Sequence, residues 1–463
     1  MTGTNRTDVD APSRTDAVVA VLSQTIGGPH GRHAVDPPRR RFWIPPRVIL
    51  AAAIVMFTAA CLQKLPCAEG GWVEYQQYTQ LCYTDIRALW TEERLSEGAI
   101  PYFDHAVEYP VVTGVFMGLL GLLSYAMLGA DGGPVFYHLN ALFLCAAGLA
   151  AVAGLWRARE RRPWDAMMLA AAPVVLFTAT VNWDLLAVAL TVFFLLAWAR
   201  GQTILAGTLL GLAVAAKFYP LLVAGPLLVL ALRHRRLAPA LTTVGVASAT
   251  WLAVNLPFMV WAFDGWKRFF TLNSERPLDW GTSWYVLRHF SGDGLAAVLN
   301  DSSTLNTLYL VAFVVCCTAI AGLALLAPTP PRLAQLAFLV VAAFLLTGKV
   351  WSQQYVLWLL PLLILARPTW RALLVWQACE LFYFFSFYGK MLAVSEDVPN
   401  LPAWSLVVPE WVFVTASTVR VAAVVGLCVL VVRDVLDPGR DVVRRVYDGD
   451  PDAGALLPAS ALR

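Results

Sequence analysis

The sequence predicts an all-α, polytopic membrane protein with about twelve transmembrane helices and a juxtamembrane helical segment in its first outer loop. Hydrophobic residues make up 59% of the 463 residues, whereas charged residues make up only 14%. The hydrophobic residues form long unbroken runs. A bilayer suits such runs, because a spanning helix needs about 20 apolar residues and satisfies its own backbone amides.

Thirteen apolar runs follow one another along the chain, and several need flanking polar residues to complete a span. They cover residues 48–62, 111–130, 136–156, 166–181, 185–198, 204–216, 219–232, 238–258, 305–326, 333–346, 355–365, 372–387 and 411–432. The membrane domain is therefore predicted at residues 48–432.

Two polar segments flank this domain. Residues 1–47 are rich in Pro, Gly and Arg and lack the apolar core of a signal peptide. We predict a disordered cytoplasmic tail there, followed by the first run as an uncleaved anchor. Residues 433–463 are predicted to form a second cytoplasmic tail.

The positions of Lys and Arg predict the orientation of the runs. Basic clusters occur at residues 39–41, 157–162, 233–236, 367–371 and from 433 onward. If all thirteen runs crossed the membrane, the cluster at 157–162 would lie outside. If the run 111–130 does not cross, every cluster lies inside, and so do both termini.

The run 111–130 has features of a segment that does not cross. It begins just after Pro110 and contains four glycines. We interpret it as a juxtamembrane or re-entrant helix of the first outer loop, which leaves twelve crossings. An ordinary thirteenth span with a weak positive-inside signal is the alternative.

The first outer loop concentrates acidic residues. Residues 63–109 contain eight acids and three bases, a net charge of −5. Asp85 precedes Ile86, Leu89 and Trp90, whose spacing predicts the apolar face of a short helix on the membrane surface. In the first turn of such a helix the anionic carboxylate is stabilised and can accept a proton from a hydroxyl group. A plain capping acid is the alternative.

Other polar residues fall at predicted outer ends of runs. Asn182 and Asp184 flank Trp183, although a tight turn between runs needs polar residues anyway. Lys217 precedes Tyr219, and Lys349 precedes Gln354 and Tyr355. Outward lysines oppose the positive-inside trend and predict phosphate ligands, with snorkelling as the alternative.

A long outer loop at residues 266–285 mixes Trp and Tyr with Arg and acids. Aromatic faces with polar rims suit a sugar, and Trp280 is its candidate residue. An interfacial amphipathic segment is the alternative.

Several of these stretches together resemble a known family. They are YTDI and PYFDHAVEYP in the first loop, NWD at 182–184, AAKFYP at 215–220 and GKVWSQQY at 348–355. Their order resembles the polyprenyl-phosphate-mannose-dependent mannosyltransferases of actinobacteria, which are C-type membrane glycosyltransferases and include the enzymes that elongate phosphatidylinositol mannosides.

The resemblance implies an inverting transfer on the extracytoplasmic face of the cell membrane. The sugar, with mannose as the expectation, passes from a polyprenyl-phosphate donor to a glycolipid or glycan acceptor. The family's catalytic aspartate corresponds to Asp85, and its donor-phosphate residues correspond to Lys217, Tyr219, Lys349, Gln354 and Tyr355.

The remaining candidates concern the acceptor and the rival functions. Sugar or acceptor binding is assigned to His105, Glu108, Tyr109, Asn182, Asp184 and Trp280. No cofactor or metal is expected, because the donor is already activated and no Asp-x-Asp motif occurs in the loop, and a net charge of +3 without an arginine stripe gives no sign of nucleic-acid binding. A transporter or flippase of lipid-linked sugars is the alternative, although it calls for ionisable residues near mid-bilayer. A non-catalytic scaffold is a further rival, but it would not need the acidic loop.

Cysteine positions predict one crosslink. Cys67 and Cys82 lie in the proposed outer loop, where the compartment is oxidising, so we expect a disulfide between them. Cys61 is a competing partner.

Overall fold

A computed structural model describes residues 10–29, 44–70, 72, 75–395 and 405–457. Within these ranges every regular element is helical, apart from one isolated bridge between Pro101 and His105. The predicted all-α class agrees with this architecture.

The described α-helices are numbered in chain order. The first eight are α1 (Pro12–Thr15), α2 (Ala17–Gly27), α3 (Pro45–Gln63), α4 (Leu65–Gly70), α5 (Gln76–Thr79), α6 (Asp85–Glu92), α7 (Val111–Leu128) and α8 (Gly133–Ala158). The middle six are α9 (Met167–Ala170), α10 (Pro173–Thr178), α11 (Asp184–Ala199), α12 (Thr203–Ala216), α13 (Ala224–Arg233) and α14 (Leu237–Trp261). The last nine are α15 (Phe263–Glu275), α16 (Ser283–His289), α17 (Asp293–Asn300), α18 (Ser302–Leu326), α19 (Leu333–Thr347), α20 (Val356–Ala366), α21 (Trp370–Val394), α22 (Glu410–Leu436) and α23 (Val442–Tyr447).

Length and composition identify the helices that can cross a membrane. Among the described residues, four helical stretches are long and apolar enough: Pro45–Gly70, Val111–Ala158, Leu237–Trp261 and Ser302–Leu326. Other apolar helices are shorter. The predicted run 166–181, for example, divides into α9 and α10, because Pro173 cannot continue the preceding helix.

The centre of the bundle is formed by α11, α19 and α20. Nearly all of their residues are buried, as expected of helices that are hydrophobic all round. By contrast, only 6% of the apolar window of α18 is buried. The segment that joins α19 to α20, residues 348–355, is therefore held between two buried core helices.

The first loop lies along α7 instead of projecting from it. Gly114 packs against Tyr102, and Gly118 packs against Pro101, so a side chain at either glycine would collide with the loop. At the other end of α7, the Trp90 indole N–H donates to the Ala130 carbonyl at 3.0 Å. Both ends of α7 are thus in contact with the same short polar loop.

The N-terminal segment differs from the predicted disorder where it is described. Residues 10–29 form α1 and α2, and the Asp16 carboxylate caps α2 through two backbone amides. The same carboxylate accepts from the Trp370 amide at 3.0 Å, and Asp10 pairs with Arg162 at 2.6 Å. Residues 1–9, 30–43 and 458–463, with the basic cluster 39–41, lie outside the described residues.

The C-terminal segment, assigned from sequence to a cytoplasmic tail, folds against helix ends in its described part. Arg332 is fully buried and donates to Asp441 at 2.8 Å and to Asp452 at 2.7 Å. Arg159 donates to Asp452 at 2.7 Å, and both guanidinium groups donate to the Leu365 carbonyl. Arg159, Arg332, Asp441 and Asp452 are called the basal network below.

Candidate active site

A cavity of 410 Å³ opens between the first loop, the start of α11, the end of α12, α15, the 348–355 segment and α21. It lies at the opposite end of α19 and α20 from the basal network. Its lining consists of Tyr78, Tyr83, Asp85, Ala88, Leu89, Glu92, Glu108, Tyr109, Pro110, Asn182, Lys217, Phe269, Asn273, Arg276, Asp279, Trp280, Trp351, Ser352, Gln353, Gln354, Tyr355, Tyr383, Phe387, Tyr388 and Met391.

The chain before Asp85 is fixed by several independent contacts. The Thr84 hydroxyl donates to the Thr180 carbonyl at 2.7 Å, and the Asp85 amide donates to the Val181 carbonyl at 2.8 Å. Cys67 and Cys82 form a disulfide. These contacts attach the start of α6 to the turn before α11.

Leu81 takes a left-handed conformation, with φ of 57°, which costs free energy in a residue with a side chain. Its carbonyl accepts from the Gln63 amide at 2.9 Å. The end of α3 therefore holds the strained turn that leads into Cys82 and Asp85.

The Asp85 carboxylate faces the cavity and has two polar neighbours. The Asn182 side-chain amide donates to it at 2.6 Å, and the neighbouring Tyr83 hydroxyl also favours its charged form. Burial raises the pKa of Asp85, while these two neighbours and the Lys217 charge partly offset the rise. A carboxylate with a raised pKa is a stronger base, and such perturbation is typical of functional groups in clefts.

Asn182 connects this carboxylate to a cation. Its side-chain NH₂ also donates to the Tyr109 hydroxyl at 2.8 Å, and its oxygen accepts from the Lys217 ammonium at 3.0 Å. The same oxygen accepts from the Trp183 amide at 2.7 Å. Since both NH₂ protons and the oxygen are engaged, the orientation of the amide is determined by its surroundings.

A second carboxylate lies behind Lys217. Asp184 is fully buried, lies 3.5 Å from the Lys217 ammonium and accepts from the Trp358 indole at 2.6 Å. Trp358 stacks on Tyr219 and Tyr355, with ring centroids 4.5 and 3.8 Å apart. Tyr355 reaches the cavity, whereas Asp184 and Tyr219 form a layer behind it.

Lys349 lies outside the cavity lining. Its ammonium donates to the carbonyls of Ser274 at 3.0 Å and Arg276 at 2.7 Å. The Arg276 guanidinium lines the cavity and lies 3.5 Å from Glu108. The structure therefore brings Arg276 to the cavity and places Lys349 beneath it, so the direct phosphate contact of Lys349 stays a prediction.

Of the other candidate residues predicted from sequence, some line the cavity and others do not. Glu108, Tyr109, Trp280 and Gln354 line the cavity. His105 does not, because it pairs with Glu93 at 2.7 Å within the folded loop. Its role in acceptor binding stays a prediction.

Sequence reasoning did not assign roles to Tyr78, Tyr83, Arg276 or Tyr388, because each resembles an ordinary interfacial residue. Arg420 was also missed. Its guanidinium lies 4.1 Å from the ring centroids of both Trp351 and Tyr383 and donates to the Trp351 carbonyl at 3.1 Å. The signal was available, since a charged residue inside an apolar run is costly and usually functional.

Within the described part of the chain, no group of three or more His, Cys, Asp or Glu side chains is arranged to hold a metal ion.

A buried carboxylate joined to a cation at one end of an apolar helix bundle fits a membrane glycosyltransferase, and a comparison with protein families agrees. Residues 107–352, more than half of the chain, match the model of glycosyltransferase family 87. The chain belongs to glycosyltransferase family 87, which confirms the predicted class of membrane glycosyltransferase. The match covers Asn182, Lys217 and Arg276, whereas Asp85 precedes it.

No curated protein matches the chain. Among solved structures, the crystal structure of ArnT from Cupriavidus metallidurans bound to undecaprenyl phosphate aligns with 14% identity and a TM-score of 0.42, over 88% of this chain and 76% of that one.

Proposed function

We propose that this glycosyltransferase moves a sugar, with mannose as the expected one, from a polyprenyl-phosphate donor to a hydroxyl group of a glycolipid or glycan. The observation that carries the proposal is the Asp85–Asn182–Lys217 connection inside one cavity. It combines a proton acceptor with a cation, both held by the side chain of the same asparagine in the lining of one cavity.

Asp85 acts as the general base in this mechanism. It takes the proton of the acceptor hydroxyl while the hydroxyl oxygen forms a bond to the anomeric carbon. The bond from that carbon to the phosphate oxygen breaks, and its electron pair leaves with the polyprenyl phosphate. One displacement of this kind inverts the configuration at the anomeric carbon.

The departing phosphate needs positive charge nearby. Lys217 supplies an ammonium group from the Asn182 side, and Arg276 supplies a guanidinium group from α15 and the residues that follow it. Gln354 and Tyr355 line the same cavity and can donate hydrogen bonds. Lys349 contributes by holding the Arg276 carbonyl, and Tyr219 contributes by supporting Trp358.

We further propose that the cavity opens on the extracytoplasmic face and that α7 does not cross the membrane. The support comes from the polar loop, which runs along α7 from Tyr102 to Trp90. If α7 crossed the membrane, the loop packed along it would also lie within the hydrocarbon region. Lipid does not tolerate the irregular backbone and charged side chains of such a loop. Twelve crossings then place the cluster at residues 157–162 inside.

Single cysteines test this topology in a background that keeps the disulfide and lacks the six free cysteines. Asp131→Cys, beside the end of α7, should react with an impermeant thiol reagent in intact cells. Glu160→Cys should react only after the cells are opened. Labelling of Glu160→Cys from outside would contradict the topology.

Transfer itself is tested with membranes from cells with and without the chain. The membranes are incubated with radiolabelled polyprenyl-phosphate-mannose, and the lipid and glycan fractions are searched for a new labelled product. A product that depends on the chain supports the proposal. Movement of intact donor across the membrane without a product would favour the transporter instead.

A further inference from the structure

The cavity has two walls of different chemistry. Lys217, which is linked to Asp85 through Asn182, and Arg276 are the two cations in the lining of the described chain, and together they are here called the cationic wall. The other is formed by Tyr78, Tyr83 and Tyr388, here called the tyrosine wall. The Tyr388 ring centroid lies 6.0 Å from that of Tyr78 and 6.3 Å from that of Tyr83.

The tyrosine wall is a built surface. Tyr388 is almost fully buried, and its hydroxyl accepts from the Gln353 side-chain amide. Tyr78 is half-buried, so its ring borders the cavity while remaining accessible to a ligand. Rigid aromatic side chains provide contact area at little cost in conformational entropy.

Tyr83 connects this wall to the base. Tyr83 lines the cavity two residues before Asp85, and its hydroxyl favours the charged form of that carboxylate; the hydrogen bonds of Asn182 connect Asp85 in turn to Lys217. The carboxylate thus lies between the tyrosine wall and the cationic wall. A molecule on the tyrosine wall can present a hydroxyl group to Asp85 without occupying the phosphate position.

The charge of the cavity restricts what that molecule is. The described lining contains four carboxylates, Asp85, Glu92, Glu108 and Asp279, but only the two cations of the other wall. Arg276 already faces Glu108, and Lys217 already faces Asp184. An anionic group on the tyrosine wall would be repelled by Asp85 and would find no free cation there.

We propose that the tyrosine wall is the acceptor subsite and that it takes a neutral sugar ring. The ring stacks its C–H face on the tyrosines and presents one hydroxyl group to Asp85. A charged part of the acceptor, such as a lipid phosphate, remains outside the cavity. This inference rests on the proposed transferase function.

The test uses the purified full-length chain with radiolabelled polyprenyl-phosphate-mannose as donor. Octyl α-mannoside is the neutral acceptor probe, and octyl glucuronide is its anionic counterpart. Transfer to the mannoside should greatly exceed transfer to the glucuronide. Tyr78→Ala should raise the KM for octyl mannoside about 3- to 10-fold, the range expected for the loss of one aromatic contact.

Two features distinguish a binding role from a structural one. Tyr78→Phe keeps the ring and should restore the KM, and the KM for the donor should stay unchanged in both variants. Tyr125→Ala is the matched control, because Tyr125 is 39% exposed on α7 and does not line the cavity. If Tyr78→Ala does not accumulate, Tyr78→Leu keeps apolar volume without a flat ring and should show the same rise in KM.

Three results would overturn the acceptor subsite. They are an unchanged KM in Tyr78→Ala or Tyr78→Leu, equal transfer to the glucuronide, and labelling of membrane lipid without labelling of octyl mannoside. A complete absence of labelled product from every acceptor, membrane lipid included, would instead contradict the transferase function.

Discussion

Both ends of the helix bundle bury charged side chains, but they pair them differently. In the basal network, Arg332 donates to two carboxylates and to the Leu365 and Ala366 carbonyl groups at the C-terminal end of α20. In the cavity, one face of the Asp85 carboxylate is open. Asp85 is linked to Lys217 through the Asn182 side chain, and the same lysine also pairs with Asp184. In the first arrangement each buried charge is paired directly with an opposite charge, whereas in the second a carboxylate faces an open cavity.

The two carboxylates differ accordingly in acidity. Burial would raise the pKa of Asp452, but the guanidinium groups of Arg159 and Arg332 hold it below its usual value. Burial does raise the pKa of Asp85, because neutral donors and a lysine that is also paired with Asp184 compensate less. Direct ion pairing therefore compensates the buried charges at one end, while incomplete pairing at the other leaves a carboxylate suited to the proposed role of a base.

The largest expected effect is on catalysis. Asp85→Asn should reduce the transfer rate by about 10² to 10⁴ with folding nearly intact, because Asn keeps the size but cannot accept the proton. Labelled product from purified enzyme measures the rate. Glu97→Gln is the control, since Glu97 is exposed and forms an exposed ion pair with Arg94 in the described structure. Normal turnover by Asp85→Asn would remove this carboxylate from the mechanism.

The basal network should give the opposite pattern. Arg332→Met removes the nearest counter-ion of the buried Asp441 and one of the two arginines paired with Asp452, and should lower the free energy of unfolding by about 3–5 kcal/mol. Activity per folded molecule should remain. Arg440→Met removes only an exposed pair with Asp437 and should cost about 1 kcal/mol or less. The free energy of unfolding of both variants is measured in detergent. If the two variants are equally stable, the basal network is dispensable for the fold.

Variants of Lys217 and Lys349 distinguish direct from indirect contact with the donor phosphate. Lys217→Met should weaken donor binding by about 2–5 kcal/mol, because the phosphate would lose a charge in a desolvated site. Lys349→Met should have a smaller effect, since Lys349 acts through the Arg276 backbone. Donor KM values decide the order. A larger effect at Lys349 would place its ammonium on the phosphate and restore the direct contact predicted from sequence.

The next effect in size is expected from removal of the Cys67–Cys82 disulfide, which should lower the stability of the first loop. Cys67→Ser should cost about 3 kcal/mol of loop stability, as expected for closing a loop of this size. Cys82→Ser and the double variant should match it, because all three remove the same bond. Non-reducing mass spectrometry and unfolding measurements report the outcome. Two free thiols in the wild-type chain would contradict the crosslink.

The smallest expected effect is a shift in pH dependence. The base works only when ionised, so transfer should fall as the pH drops through the pKa of Asp85. Because that pKa is raised, the fall should begin at a higher pH than for an ordinary aspartate. Burial also raises the pKa of Glu93 to about 7, so the profile is repeated with Glu93→Gln. If the pH dependence of transfer disappears in Glu93→Gln, it arises from Glu93 and not from Asp85.

Much of this could be predicted from sequence, because composition and order carry the signal. The apolar runs predict the helical class, and Asp85, Asn182 and Lys217 were recognised as candidates at the ends of runs. Their convergence depends on helix packing, which no local pattern encodes. Lys349 shows the limit most clearly, since only the fold determines that its ammonium points to backbone carbonyls and that Arg276 takes the cavity position.

The position of the cavity at one end of the bundle has a consequence for the energetics of turnover. In the proposed reaction, the proton moves to Asp85 and the phosphate leaves beside Lys217, both within the same cavity. No charge passes through the low-dielectric interior, where each elementary charge would gain or lose about 2.3 kcal/mol per 100 mV of membrane potential. The proposed transfer would therefore be electrically silent, and a sugar donated at the proposed extracytoplasmic face would be attached without drawing on the ion gradients of the cell.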